Sequence, residues 1–146
     1  MKYLILVSHG GFAQGLKTSL EMFAEDKMDQ VIALGLKNGS SVDDFAKECH
    51  QAVDHLTEED TVIVLADIVG GSPLTTALTV LEEKGKLDTT VVLGGMNLPM
   101  ALTSVVMKDA LEGDDFVSAV LPEASAALQE LKVSAATDND DEDDDI

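Results

Sequence analysis

Residues 2–11, Lys2-Tyr3-Leu4-Ile5-Leu6-Val7-Ser8-His9-Gly10-Gly11, decide how this chain is read. An unbroken apolar run of strand length stops abruptly at a polar, glycine-bearing turn. That is the signature of a strand covered on both faces, as in a parallel sheet, rather than of a half-exposed strand that alternates. The same signature returns at Thr61-Val62-Ile63-Val64-Leu65-Ala66-Asp67-Ile68-Val69-Gly70-Gly71-Ser72-Pro73, where the strand is almost purely β-branched and aliphatic.

Between and beyond these two stretches the chain alternates strand with helix. Residues 12–25 predict a helix with Phe12, Leu16, Leu20 and Phe23 as its apolar stripe. Val31 to Gly35 predicts a second strand. Ser40 or Ser41 then caps a helix whose stripe is Val42, Phe45, Ala46, Cys49, Val53 and Leu56. Ser72 is the expected N-cap of the next helix, with Pro73 in its first position. Thr89 to Gly94 predicts a fourth strand, and a helix follows from near Pro99 to Leu111. Residues 114–132 are weaker: Asp114 or Asp115 caps a short helix, Pro122 interrupts or restarts it, and Ala124, Ala127, Leu128 and Leu131 keep helical spacing.

Four β-α units in series predict an α/β fold, a doubly wound parallel sheet with helices on both faces. Right-handed crossovers leave few topologies, of which strand order 2-1-3-4 is the most economical. In that order the first and third strands are neighbours whose following helices go to opposite faces. The carboxyl ends of such a pair form the crevice where ligands of this architecture bind.

Composition sets the bounds. The 146 residues suit one domain, expected over 1–135, with an acidic tail at 136–146. Hydrophobic residues make up 45% of the chain and aromatic residues only 3%, so the core is aliphatic. One cysteine excludes an internal disulfide, and Cys49, on the apolar stripe, reads as core. No apolar run approaches the roughly 18 residues of a membrane span. The run Tyr3 to Val7 is too short for a signal-peptide core, which predicts a cytoplasmic protein. The net charge is −19, of which residues 138–146 carry −7, a stretch expected to be solvated and unpatterned. The remaining −12 repels nucleic acid and favours a partner with a basic patch.

The topology brings His9 and Asp67 into one crevice, although they are 58 positions apart. A neutral imidazole is a good nucleophile toward phosphorus and needs no metal or cofactor when the donor is itself a phosphorylated nitrogen. A carboxylate bonded to one ring nitrogen selects the tautomer and leaves the other nitrogen to attack. The turn Gly70-Gly71-Ser72-Pro73 enters a helix, so its N–H groups and the Ser72 hydroxyl can hold phosphate oxygens, and Gly10 beside His9 joins that set. A third loop, Gly94 to Met100, ends the neighbouring strand as a candidate rim. His50 and His55 lie off the stripe of their helix and read as exposed bystanders. Met96 and Met100 suit either core filling or a docking surface.

Ser8-His9-Gly10 after an N-terminal strand, then Asp67-x-x-Gly70-Gly71-Ser72-Pro73, then Gly95-x-Asn97-Leu98-Pro99-Met100, resembles the IIA component of the mannose-class (mannose/fructose/sorbose) sugar phosphotransferase system, over residues 1 to about 133. The resemblance implies that His9 accepts phosphate from the phosphocarrier HPr and passes it to a IIB component. IIB in turn phosphorylates sugar entering through the membrane subunits IIC and IID. It also implies Asp67 as the histidine's partner, Gly71 and Ser72 as the phosphate-binding turn, and a homodimer that exchanges a C-terminal edge strand, for which Leu131 to Ala135 is the candidate. Two features depart from some relatives: Ile68 stands where they place Thr, and the acidic tail stands where fused relatives continue to IIB.

Three other functions compete. One is the phosphocarrier of a PEP-dependent dihydroxyacetone kinase, and another is a regulatory module that only reports its phosphohistidine. The third is a flavodoxin-like nucleotide binder, which would want aromatic walls that one Tyr, four Phe and no Trp hardly supply. A histidine phosphatase needs an Arg before its His-Gly, where Ser8 stands.

Overall fold

A computed structural model describes residues 1–134. The elements run β1 (Lys2–His9), α1 (Phe12–Ala24), β2 (Val31–Leu36), α2 (Val42–Val53), β3 (Thr61–Ala66), α3 (Ser72–Glu83), β4 (Val91–Gly94), α4 (Leu98–Met107) and α5 (Gly113–Ala126). Short 3-10 turns at Glu25–Gln30 and Leu87–Thr89 lead into β2 and β4. The four strands form one sheet in the order β2-β1-β3-β4, and every pairing is parallel.

The two faces of the sheet carry separate cores, as the period of two along a strand requires. Leu4 and Leu6 of β1, with Ile63 and Leu65 of β3, pack under α1, α4 and α5. Ile5 and Val7, with Val62, Val64 and Ala66, pack under α2 and α3. The helices after β1 and β3 therefore lie on opposite faces, and the crevice opens between β1 and β3. Both central strands are buried throughout their middle, which is why they read as continuous apolar runs.

Several local readings need correction. The buried face of α1 is Ala13, Leu16, Leu20 and Ala24, while Phe12 and Phe23 are about half exposed or more. Small residues at 13 and 24 let the helix lie close to the sheet, turning the bulkier phenylalanines outward. Val42 is likewise exposed and Ala46 half-buried, while Phe45, Cys49, Val53 and Leu56 of the same stripe are buried. The fourth strand begins at Val91 rather than Thr89, and α4 stops at Met107 rather than Leu111. The last helix starts at Gly113 with Glu112 as N-cap and runs through Pro122 to Ala126 without a restart. Its buried positions are Phe116, Val120 and Ala124. Leu128 and Leu131 are exposed beyond the helix end.

Met96 and Met100 are buried in the core under α1, α4 and α5, which removes them as a docking surface. Within the chain, Leu131 to Ser134 form no strand, and Ala135 with the acidic segment 136–146 lies outside the described residues. Among the described residues, no helix is long and apolar enough to cross a membrane.

Candidate functional site

His9 is the last residue of β1, and Asp67 follows the last residue of β3. The β1–β3 pairing carries Val7 opposite Ala66, and the Asp67 N–H donates to the Val7 carbonyl at 3.2 Å, extending the ladder by one bond. That extension places the Asp67 carboxylate at His9. Asp67 Oδ2 accepts from the His9 backbone N–H at 2.9 Å and lies 2.8 Å from His9 Nδ1. Its other oxygen, Oδ1, accepts from the Ile68 N–H at 2.9 Å.

Burial pushes the Asp67 carboxyl up, but the His9 backbone and ring donors and the Ile68 N–H together outweigh it, so the net shift is downward. Asp67 is thus a carboxylate at neutral pH and can only accept. Its contact with Nδ1 therefore needs the proton on Nδ1, which in the neutral imidazole leaves Nε2 as the bare nitrogen. The imidazole side chain is 49% exposed and the Asp67 side chain 18%, so the pair is anchored from below and open above.

The free edge of the ring faces the glycine turn. Gly70 and Gly71 both have φ of 85°, which an L side chain rarely adopts. A Cβ on Gly71 would stand 3.2 Å from His9 Cε1 and 3.4 Å from Nε2, so the ring rests against the space that glycine leaves. Gly71, not Ser72, is the N-cap of α3; Ser72 is the first helical residue and is exposed. The paired positive φ values turn the chain one residue earlier than a serine cap would. Helix geometry leaves first-turn N–H groups without intrahelical acceptors at the positive end of the α3 dipole, although Pro73 brings none.

Gly10, expected beside His9 in the phosphate-binding set, donates its N–H to the Leu36 carbonyl at 2.8 Å and turns the chain with a φ of 57°. Asn97 caps α4 by accepting from the Met100 N–H at 2.9 Å and donates from Nδ2 to the Ala124 carbonyl at 3.1 Å, a structural tie to α5.

Ser8 is the residue that sequence reasoning undervalued. It is fully buried, and its Oγ accepts from the Ala13 N–H at 2.8 Å, satisfying a first-turn donor of α1 and fixing how the chain leaves His9. A serine placed among β-strand aliphatics just before the histidine was the available signal.

The other histidines are elsewhere. His50 Nε2 pairs with Glu83 at 3.1 Å, and His55 stacks edge-on to Tyr3 at 5.3 Å between ring centroids. Burial, with Glu48 adding, pushes the Cys49 thiol up to about 12, consistent with an inert core residue. No cluster of three potential metal ligands occurs among the described residues. A cavity of about 370 Å³, lined by Lys2, Thr61, Val91 and Phe116 among others, lies at the amino ends of the strands, away from His9.

Residues 3–121 match the family model EIIA-man, described as the PTS system fructose IIA component. The PTS system fructose-specific EIIA component of Bacillus subtilis (strain 168) is 30% identical over 116 residues, spanning 79% of this chain and 76% of that protein. The crystal structure of phosphotransferase system component EIIA from Streptococcus agalactiae superposes with a TM-score of 0.74 at 26% identity, over 89% of this chain and 97% of that one. The PTS IIA protein associated with the fucose utilization operon of Streptococcus pneumoniae gives 0.72 at 29%, over 88% and 92%. The mannose/sorbose specific IIA subunit from Enterococcus faecalis gives 0.76 at 22% identity, over 94% and 100%, a likeness of fold.

Proposed function

Because this chain belongs to the mannose-class IIA family of the sugar phosphotransferase system, we propose that His9 is the residue on which it carries phosphate. The family makes it a phosphotransfer component, and the pairing of His9 Nδ1 with Asp67 Oδ2 at 2.8 Å is the observation that supports this residue and this atom. With Nδ1 protonated and held, the Nε2 lone pair attacks phosphorus as the donor's P–N bond breaks. The donor ring leaves as neutral imidazole, keeping its own distal proton. His9 becomes a phosphoimidazolium whose positive ring faces the Asp67 carboxylate. Donors at the Gly70-Gly71-Ser72 turn stabilise the phosphoryl oxygens as charge moves, a preorganised arrangement of the kind that lowers transfer barriers. The reverse attack, by a nucleophile on the acceptor, discharges the ring.

The donor is phospho-HPr and the acceptor a IIB component, with the membrane subunits IIC and IID reached only through IIB. The openness of His9 supports protein-borne partners: half of the imidazole is exposed, and Phe12 and Ile68, near it in sequence and in the facing loop, are exposed too. Such partners place the protein in the cytoplasm. Incubation with phosphoenolpyruvate, enzyme I and HPr, followed by mapping of the modified residue, tests the assignment. Label on Nε2 of His9 is expected, and label on His50 or His55 would reject it.

The chain also works as a homodimer, in which residues 131–135 add a strand to the partner's sheet. Leu131 and Val133 are 82% and 87% exposed in the single chain, as an apolar segment awaiting a sheet edge would be. With the domain taken to span residues 1–135, deletion of residues 138–146 should leave assembly and transfer unchanged. A cut after Glu130 should yield monomers in sedimentation, and a surviving dimer would exclude strand addition.

A further inference from the structure

Seven glycines of this chain have positive φ, and Gly35 and Gly94 are not among them. Any residue could adopt their backbone, so their need for glycine must be one of space. Gly35 sits on outer strand β2, paired with Ser8, and Gly94 ends outer strand β4, paired with Ala66. A Cβ on Gly35 would lie 2.1 Å from the Gly10 carbonyl oxygen. A Cβ on Gly94 would lie 2.2 Å from Val69 Cγ2 and 3.4 Å from the Val69 nitrogen. The loop after β1 therefore rests on the bare backbone of β2, and the loop after β3 rests on the bare backbone of β4.

We propose that Gly35 and Gly94 are positioning residues for phosphoryl transfer: two Cβ-less seats, one on each outer strand, that hold the His9 loop and the Gly70-Gly71-Ser72 turn at their working separation. The inference rests on His9 as the phosphate carrier. The two loops leave neighbouring central strands and lean outward in opposite directions. The gap between them, where Nε2 faces Gly71, is thus set by how far each can settle onto its flanking strand. A methyl group in either seat lifts its loop toward the gap. A misplacement of about 1 Å remote from the reacting atoms costs on the order of 10²-fold in rate.

Gly94→Ala separates this from a general effect on the fold. Alanine suits a strand at least as well as glycine, so the variant should melt near the wild-type temperature yet accept phosphate about 10- to 100-fold more slowly. Trimming the obstructing side chain in Gly94→Ala/Val69→Ala should restore the rate to that of Val69→Ala alone. Gly35→Ala meets a backbone oxygen that no side-chain change can move, and should be slower with no such rescue. In unphosphorylated protein, the NMR contact between His9 Hε1 and the Gly71 Hα protons should weaken in Gly94→Ala and return in the double variant. That readout does not depend on whether His9 is the acceptor, so label elsewhere would overturn the parent assignment while leaving the seats to be judged by NMR. A Gly94→Ala protein with an unchanged His9–Gly71 contact, one that unfolds, or a double variant no better than the single overturns the inference.

Discussion

The two ends of the sheet hold similar chemical groups and treat them differently. At the amino ends, Lys86, Asp60 and Lys2 are drawn into structural bonds. Lys86, only 6% exposed, donates from Nζ to the carbonyls of Thr57 and Asp60, the latter at 2.6 Å. Asp60 accepts from the Thr57 N–H at 2.8 Å and from the Met1 amino group at 3.0 Å. Lys2 reaches the Leu111 carbonyl at 3.4 Å. At the carboxyl ends, the Asp67 carboxylate is equally well bonded, but its partner ring keeps one nitrogen turned to solvent. A cavity of about 370 Å³ lies at the amino ends, and the proposed nucleophile, with its half-exposed ring, is at the carboxyl ends. Reactivity follows the atom left unpaired by an otherwise satisfied network, not the size of the hollow.

The sharpest test of that contrast is Asp67→Asn. The amide is nearly the same shape but brings no charge and can present a donor to the ring, weakening both tautomer control and support for the charged phosphoimidazole. Transfer should slow by about 10²- to 10³-fold, equivalent to roughly 3–4 kcal/mol on the barrier. Melting temperature should change little, because the pair is partly exposed. His9→Ala sets the floor, with no phosphate accepted. Wild-type transfer rates in Asp67→Asn would break the comparison at its reactive end.

This difference between the ends was only half visible in the sequence. The strands were legible because burial on both faces forces continuous apolar runs, and His9 and Asp67 were legible because each directly ends such a run. The helix faces were harder. Phe12 and Phe23 have the period of a core stripe, yet close approach to the sheet favours Ala13 and Ala24, and periodicity does not weigh size against distance. The cap at Gly71 was missed because Ser-Pro is the commoner helix start, and only the conformation of the two glycines shows the turn falling one residue earlier. Gly35 and Gly94 look like ordinary strand-end glycines until the opposing loop is seen. The amino-end network was not legible at all, since Lys86 and Asp60 are unremarkable surface residue types whose partners are backbone carbonyls and N–H groups.

Lys86→Met probes the structural end. Methionine fills similar volume but leaves the Thr57 and Asp60 carbonyls without their shared donor, at a cost of roughly 2–4 kcal/mol. Denaturant unfolding should show this loss, while phosphate transfer by the folded fraction stays at the wild-type rate. A slowed transfer in Lys86→Met at full folding would mean that the two ends are coupled.

The smallest effect is expected from Asp60→Asn, and it disappears in acid. Hydrogen bonds from the Thr57 N–H and the Met1 amino group lower the Asp60 carboxyl from 3.8 to about 2. A carboxyl whose folded pKa lies below its unfolded value stabilises the fold above the unfolded value and loses that contribution as pH falls through the folded one. The window is therefore from about pH 4 down to about pH 2. Asp67 is depressed in the same direction and adds to the same acid limb. In Asp60→Asn the part due to residue 60 disappears: the variant should be slightly less stable than wild type at neutral pH, and the two stability curves should converge as pH approaches 2. Asp67→Asn should converge in the same way, but with the loss of transfer already described, whereas Asp60→Asn should transfer normally at every pH where it is folded. Parallel stability curves for wild type and Asp60→Asn across this window would show that the amino-end carboxylate is not held in its ionised form by the fold.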